Sequence, residues 1–258
     1  MLKLDGKVAL VTGCGTRGEG WGNGKAIAVL LARQGATVFG VDRDIEAAKV
    51  TEKIIADEGG KAHVTTANVT IAQDVQDMVK ACMDLYGRID ILINNAGALV
   101  QRVPIEEITD ELFDNVVYLN VRSAMMCTAA AVAAMRQQGQ GGVVINVTSV
   151  AARHGGGAGA SLYAGSKGFV STMTRGLAKE LVKDNIRVNA VAPGVITTPF
   201  HERFSTPQML EGFRATIPMN RLGTAEECAG AFVYLASEQM SGYVTGQIIE
   251  VNGGQYMP

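Results

Sequence analysis

Three shortages in this chain each close off a class of function. Histidines number three and cysteines four among 258 residues. Cys14, Cys82, Cys127 and Cys228 form no CxxC pair, so the ligand spacing of a zinc site and a disulfide framework are both missing. The expectation is four reduced thiols in a cytoplasmic protein, with no bound metal. Basic residues are equally unhelpful to a polyanion. Lys and Arg total 23 against 25 acidic residues, the formal net charge is −2, and no basic run occurs. Nucleic acids and anionic membranes both select clustered positive charge, so neither is an expected partner. Long apolar runs are the third absence. The longest, Ser123 to Met135, is too short and too polar to span a bilayer and reads as a buried helix. The opening Met1-Leu2-Lys3-Leu4-Asp5-Gly6 has no apolar stretch of the kind a signal peptide needs.

What is present is a regular alternation of apolar, β-branched runs with helical patterns. Strands are expected at Lys7–Thr12, Thr37–Val41, His63–Thr66, Ile89–Asn94, Gly142–Val147, Arg187–Ala192 and Gln247–Val251. These runs are continuously hydrophobic rather than alternating, which suits parallel strands covered on both faces. Asp44 is placed to cap a helix ending at Gly59-Gly60, and Thr70 one ending near Gly87. Thr224 and Glu227 have capping-box spacing and open a helix to about Ala236. The pattern predicts an α/β fold: a doubly wound parallel sheet of about seven strands with helices on both faces. No linker or repeat divides residues 1–258, so one domain is expected. The glycine-rich stretch 155–159 is too short for a linker and reads as a flexible loop.

The first strand runs into Gly13-Cys14-Gly15-Thr16-Arg17-Gly18-Glu19-Gly20-Trp21-Gly22-Asn23-Gly24, and a helix follows. A glycine-rich turn into a helix lets backbone N–H groups approach a pyrophosphate, and the helix N-terminus adds favourable charge. The next strand ends at Asp42, whose carboxylate can accept from an adenosine ribose and would repel a 2′-phosphate. That points to NAD over NADP. Arg43 and Arg17 point the other way, since either can meet a 2′-phosphate. A structural reading of Asp42 is a helix N-cap, for which Asp44 is better placed.

Taken with Asn94-Asn95-Ala96-Gly97, Asn120, Ser149, Tyr163-Ala164-Gly165-Ser166-Lys167 and Pro193-Gly194, this turn resembles the short-chain dehydrogenase/reductase family over Lys7 to Gly254. The resemblance implies a Rossmann-type fold, a nicotinamide cofactor, a small-molecule substrate and a homotetramer. It departs in one place: eight residues separate Gly13 from Gly22, an insertion of about five against the family pattern. Aligning Gly24 with the family's last glycine keeps the usual run to Asp42. An alternative uses Gly18 and Gly20 and puts the extra residues at the helix start. Trp21 is then a lid over the pyrophosphate or a packing residue.

Tyr163 and Lys167 are four apart on an expected helix and so share a face. A free phenol titrates near pH ~10, and lowering it to neutrality asks for about 4 kcal/mol. Lys167 and a nicotinamide charge are the expected source, with Tyr163 as the acid/base. Ser149 and Thr148 are rival hydroxyls at a strand end, and alternation sends them to opposite faces, so only one serves the substrate oxygen. The family spacing selects Ser149. By resemblance, Lys167 binds the nicotinamide ribose and Asn120 anchors a water in a proton relay; a buried amide bonded to backbone is the other reading of Asn120. The resemblance also puts Gly13, Gly22, Asn23, Gly24, Asp42, Asn68, Val69, Asn94, Ala96, Gly97, Pro193, Gly194, Ile196 and Thr198 against the cofactor, with Asn94 on the adenosine side. Arg153 and His154 follow Ser149 and are candidates to line the substrate pocket. A substrate-covering segment is expected at about 197–223; its charges His201, Glu202 and Arg203 read as a solvated face.

These residues predict hydride transfer between NAD and a secondary alcohol or ketone, with a polyol, sugar or similar polar molecule as substrate. The rivals are an NADPH-dependent 3-ketoacyl thioester reductase and a non-catalytic cofactor-binding regulator.

Overall fold

A computed structural model describes residues 3–16, 18, 20–199 and 204–258. Arg17, His201, Glu202 and Arg203 lie outside the described residues. All seven expected strands form, as β1 (Val8–Thr12), β2 (Thr37–Asp42), β3 (Lys61–Thr66), β4 (Ile91–Asn94), β5 (Gly142–Val147), β6 (Ile186–Pro193) and, after a two-residue ladder of β7 (Ile196–Thr197) and β8 (Gly223–Thr224), β9 (Ile248–Val251). The main sheet is parallel in the order β3-β2-β1-β4-β5-β6-β9. The order reverses between β1 and β4, so the adjoining loops leave in opposite directions and open a crevice at the carboxyl ends of the strands.

Burial explains the continuous apolar runs. Every residue of β1 and β4 is buried, because helices cover both faces. On one face α1 (Asn23–Arg33) and α9 (Ala225–Ala236) pack side by side against Val11, Ile93 and Ile145. On the other, α3 (Ala72–Tyr86), α5 (Ser123–Gln138) and α7 (Ser161–Leu181) pack against Leu10, Leu92 and Val144. The run Asp110–Gln138, which joins α4 (Asp110–Val117) to α5 through a π turn at Tyr118–Arg122, is long and apolar enough to cross a membrane by length and composition. Half of its most apolar window is buried inside the protein, and Cys127, Ala131 and Met135 of α5 are sealed against the sheet.

Two of the three expected caps form. Asp44 accepts from Ala47 N (3.2 Å) at the start of α2 (Ile45–Asp57). Thr224 and Glu227 close a complete capping box on α9. Thr70 does not cap α3, which begins behind Ile71 without a side-chain cap. The helix starts one residue later than expected, and the Thr70 hydroxyl donates to Asn68 Oδ1 (2.8 Å).

Candidate active site

The crevice holds a cavity of about 730 Å³, which runs from Asp42 and Val69 at one end to Ser149 and Tyr163 at the other. Its floor is the glycine turn. Gly22 stands before α1 in an extended conformation with no side-chain cap, and the first turn of α1 carries no acidic residue. By contrast α2, α4 and α9 all have acids there. The first N–H groups of α1 and its partial positive end are therefore left for an anion. The close approach of turn to helix requires Gly24: a Cβ there would stand 1.8 Å from Gly13 O. This fixes the alignment. Gly22 and Gly24 carry the turn, and Gly18 and Gly20 belong to the inserted loop. That loop is tied down by Lys25 Nζ donating to Gly20 O (3.0 Å) and Gly22 N donating to Thr16 Oγ1 (3.0 Å). Trp21 packs against the core beside α1, so it is a packing residue and not a lid.

Asp42 ends β2 at the cavity wall. One carboxylate oxygen accepts from Gly15 N (2.9 Å) and the other from Asp44 N (3.0 Å). Each oxygen keeps a lone pair for a further donor. Arg43 lines the same end, as do Asn68 and Val69. Gly13, Gly22, Asn23, Gly24, Ala96, Gly97, Pro193, Gly194, Ile196 and Thr198 all line the cavity as well.

Asn94 does not. It is buried behind the sheet, with Nδ2 donating to Thr128 Oγ1 and Asn146 Oδ1 (2.8 Å each). The pocket residue is its neighbour Asn95, whose Nδ2 donates to Thr12 O (3.1 Å) and Gly13 O (2.8 Å) and clamps the glycine turn to β4. Side chains alternate at a strand end, so the adenosine-side assignment of Asn94 fails by one residue. Thr16, Leu119 and Val100 line the cavity too and carried no motif that marked them.

At the other end, alternation settles the two hydroxyls of the β5 terminus. Thr148 Oγ1 turns inward, donating to Lys167 O (2.9 Å) and lying 2.7 Å from Ser171 Oγ. Ser149 faces the cavity, its Oγ accepting from Ala151 N (3.1 Å) and bonded to the Tyr163 phenol. Tyr163 and Lys167 rise from the first turns of α7. Lys167 Nζ lies 5.8 Å from the centre of the Tyr163 ring and donates to Val147 O (2.9 Å). Burial lowers the Lys167 ammonium to about 8, so it is still mostly charged at neutral pH. Burial pushes the Tyr163 phenol above its ordinary value, and the Ser149 hydrogen bond pulls it only part of the way back. The expected lowering of the phenol by Lys167 is thus not met by the chain alone, because desolvation outweighs attraction across that distance.

Asn120, in the π turn, is a buried amide held by backbone. Its Oδ1 accepts from Ala98 N (3.1 Å), and Nδ2 donates to Ala98 O (2.8 Å) and Val116 O (3.0 Å). It nevertheless stands beside Lys167. The point where a Gly97 Cβ would lie is 2.8 Å from Asn120 Oδ1 and 2.9 Å from Lys167 Nζ, so only glycine leaves room for both. Arg153 and His154 do not line the cavity. Arg153 is paired with Glu250 (2.7 Å) and lies over the Tyr256 ring, while His154 Nδ1 accepts from Gly156 N (3.2 Å).

An elongated cleft with an uncapped helix start in its middle, a carboxylate at one end and a phenol–hydroxyl pair at the other fits a dinucleotide. Comparison with known proteins agrees. A family model described as enoyl-(acyl carrier protein) reductase matches residues 19–255. The chain is 39% identical over 251 residues to the uncharacterized oxidoreductase YgfF of Escherichia coli, covering 96% of this chain and 99% of that protein. It is 38% identical to the 3-oxoacyl-[acyl-carrier-protein] reductase FabG of Thermotoga maritima, covering 98% and 99%. Among solved structures, an NADH-dependent reductase A1-R′ responsible for alginate metabolism superposes with a TM-score of 0.89 at 38% identity over the whole of both chains. Fold, motif order and relatives over nearly its full length establish that this chain belongs to the short-chain dehydrogenase/reductase family, oxidoreductases acting on CH–OH groups.

Proposed function

We propose that this protein is an NAD-dependent oxidoreductase that interconverts a secondary alcohol and a ketone on a small polar substrate such as a polyol or sugar derivative. The observation that carries the reading is the Ser149–Tyr163 pair at the catalytic end of a cleft whose far end presents the Asp42 carboxylate. When bound, the cofactor supplies or accepts the hydride. Ser149 Oγ, oriented by Ala151 N, donates to the substrate oxygen and stabilises the charge that develops on it. Tyr163 Oη takes the hydroxyl proton in oxidation and returns it in reduction. Lys167 holds positive charge beside the phenol and reaches toward the ribose. Asn120 buttresses the loop at Ala98 that backs Lys167. Gly13, Thr16 and the first turn of α1 receive the diphosphate, Asp42 accepts from the adenosine ribose, Val69 packs by the adenine, and Ile196 and Thr198 face the carboxamide. Assembly as a homotetramer is part of the same proposal and is checked by sedimentation; the exposed apolar side chains Phe113, Tyr118 and Phe169 support it.

A second reading, an NADPH-dependent 3-ketoacyl thioester reductase, is favoured by relatives from Thermotoga maritima and Synechocystis named as 3-oxoacyl-[acyl-carrier-protein] reductases, and by Arg43 at the adenosine end. The two readings separate in one assay, the absorbance of reduced nicotinamide. Turnover of polyols, sugars or hydroxy acids with NAD, lost in Tyr163→Phe, sustains the first. Turnover confined to acetoacetyl thioesters with NADPH replaces it with the second.

A further inference from the structure

Six of the eleven described arginines have carboxylate partners. Arg33, Arg88, Arg136, Arg153, Arg214 and Arg221 bond Glu58, Asp90, Asp184, Glu250, Glu211 and Glu227 respectively. Arg102, like Arg122 and Arg187, bonds carbonyls and no carboxylate. It is half-buried beside the catalytic end of the cavity, without itself lining it, and among the described residues its guanidinium donates only to carbonyls: Nε to Phe204 O (3.0 Å) and Nη1 to Ala158 O (3.1 Å). Phe204 lines the cavity, as does Val100, two residues before the arginine. Partial burial without a counter-charge holds Arg102 below its ordinary value.

The backbone that delivers Arg102 is strained. Val100 has φ +68°, and Gln101 N donates to Leu99 O (2.9 Å), a tight three-residue turn that a β-branched side chain adopts at a cost. Such strain concentrates at binding sites. Two carbonyls use two of the five guanidinium donors and none of its charge. What remains is a fork suited to a carboxylate. The other described arginines of the segments that meet here, Arg153 and Arg214, are already neutralised, so a single charge is available, which matches a monoanion better than a phosphate.

We propose that Arg102 determines substrate specificity by binding a carboxylate carried by the substrate away from the reacting carbon. The proposal rests on the alcohol/ketone reading above and narrows its substrate class to oxo or hydroxy acids.

The test uses the full-length protein with NADH and three keto acids of increasing length, 3-oxobutanoate, 4-oxopentanoate and 5-oxohexanoate, each against its methyl ester. For at least one length the acid is expected to be favoured roughly 10- to 100-fold in kcat/KM, the scale of a hydrogen-bonded charge. Arg102→Leu collapses that ratio, mainly through KM, and Arg102→Lys keeps part of it. An acid-to-ester ratio near one in the wild type, or an equal loss on acid and ester in Arg102→Leu, overturns the proposal and leaves Arg102 as a strut for Phe204. Should the wild type turn over no ketone or alcohol at all, the functional reading fails instead. Thermal stabilisation of the NADH complex then decides the proposal separately. It stands if the acids, and not their esters, stabilise the wild type but not Arg102→Leu, and it falls if they do not.

Discussion

The ends of β4 and β5 each place two polar residues in a row, and each pair divides between two regions of the molecule. Asn94 and Thr148 turn into a layer behind the pocket. Asn95 and Ser149 turn into the pocket. The rear layer is bonded within itself, save Asn94 Oδ1, a buried oxygen without a partner among the described residues. Asn94 and Asn146 are register partners across the two strands, bonded at 2.8 Å; Asn146 Nδ2 donates to Thr174 Oγ1 (3.0 Å), and Thr148 bonds Lys167 O and Ser171. Buried amides and hydroxyls are costly unless paired, so pairing here ties both strands to α5 and α7. The front layer leaves capacity unused: an ammonium bonded to one carbonyl, and a helix start without a cap. The same residue types thus hold the fold on one side and await a ligand on the other, and position relative to the strand end decides which.

The comparison breaks most visibly if a front-layer change damages the fold or a rear-layer change damages only the chemistry. Tyr163→Phe removes the proton carrier and should lower kcat/KM by on the order of 10³-fold, with unfolding free energy within about 0.5 kcal/mol of the parent. Steady-state kinetics beside urea titration measures both. A large stability loss would place Tyr163 in the structural layer. Next in size, Asn146→Ala strips partners from Asn94 and Thr174 at once. It should destabilise by about 3 kcal/mol, since each orphaned polar group costs ~1–3, while the folded enzyme keeps kcat/KM within about tenfold. A catalytic loss without destabilisation would show that the rear layer acts directly on the chemistry.

How far this division was legible in the sequence depends on whether the information was local. The strands were readable because both faces are covered, so each run is apolar throughout. Asp44 and the Thr224–Glu227 box were readable because a cap involves side chains three residues apart. Alternation showed that only one of Thr148 and Ser149 could face the pocket, and the family's spacing to Tyr163 selected Ser149. Asn94 was misassigned because the phase of alternation turns on where a strand stops, and the motif crosses that point. Thr70 was misassigned because α3 begins one residue later, behind Ile71, and a helix boundary is uncertain by about a residue in sequence. Arg153 was placed in the pocket from its nearness to Ser149, whereas its partner Glu250 is 97 residues away. Arg102 went unmarked for the same reason: it bonds carbonyls 56 and 102 residues distant.

Lys167 belongs to both layers, its backbone carbonyl bonded by the rear hydroxyls and its ammonium at the pocket, and its titration reports on its burial between them. Burial sets its folded-state pKa at about 8 against an ordinary 10.5. Between those values the unfolded chain binds more protons than the folded one, so stability rises with pH across this window. Below about pH 8 both states are protonated and the contribution is flat. Tyr163 acts with the opposite sign. Its phenol is raised in the fold, so the unfolded chain loses that proton first, and stability falls once pH passes the ordinary value of 10. Lys167 therefore dominates this pair between pH 8 and 10, where the gain should be about 2 kcal/mol, at ~1.4 kcal/mol for each pKa unit. Lys167→Met removes the titrating group and keeps the stem. Surface lysines titrate alike in both proteins, so the difference between their urea-unfolding profiles isolates the buried ammonium. A parallel pair of profiles would mean that water reaches Lys167 freely and that the front layer extends deeper than the packing of Thr148 and Ser171 allows.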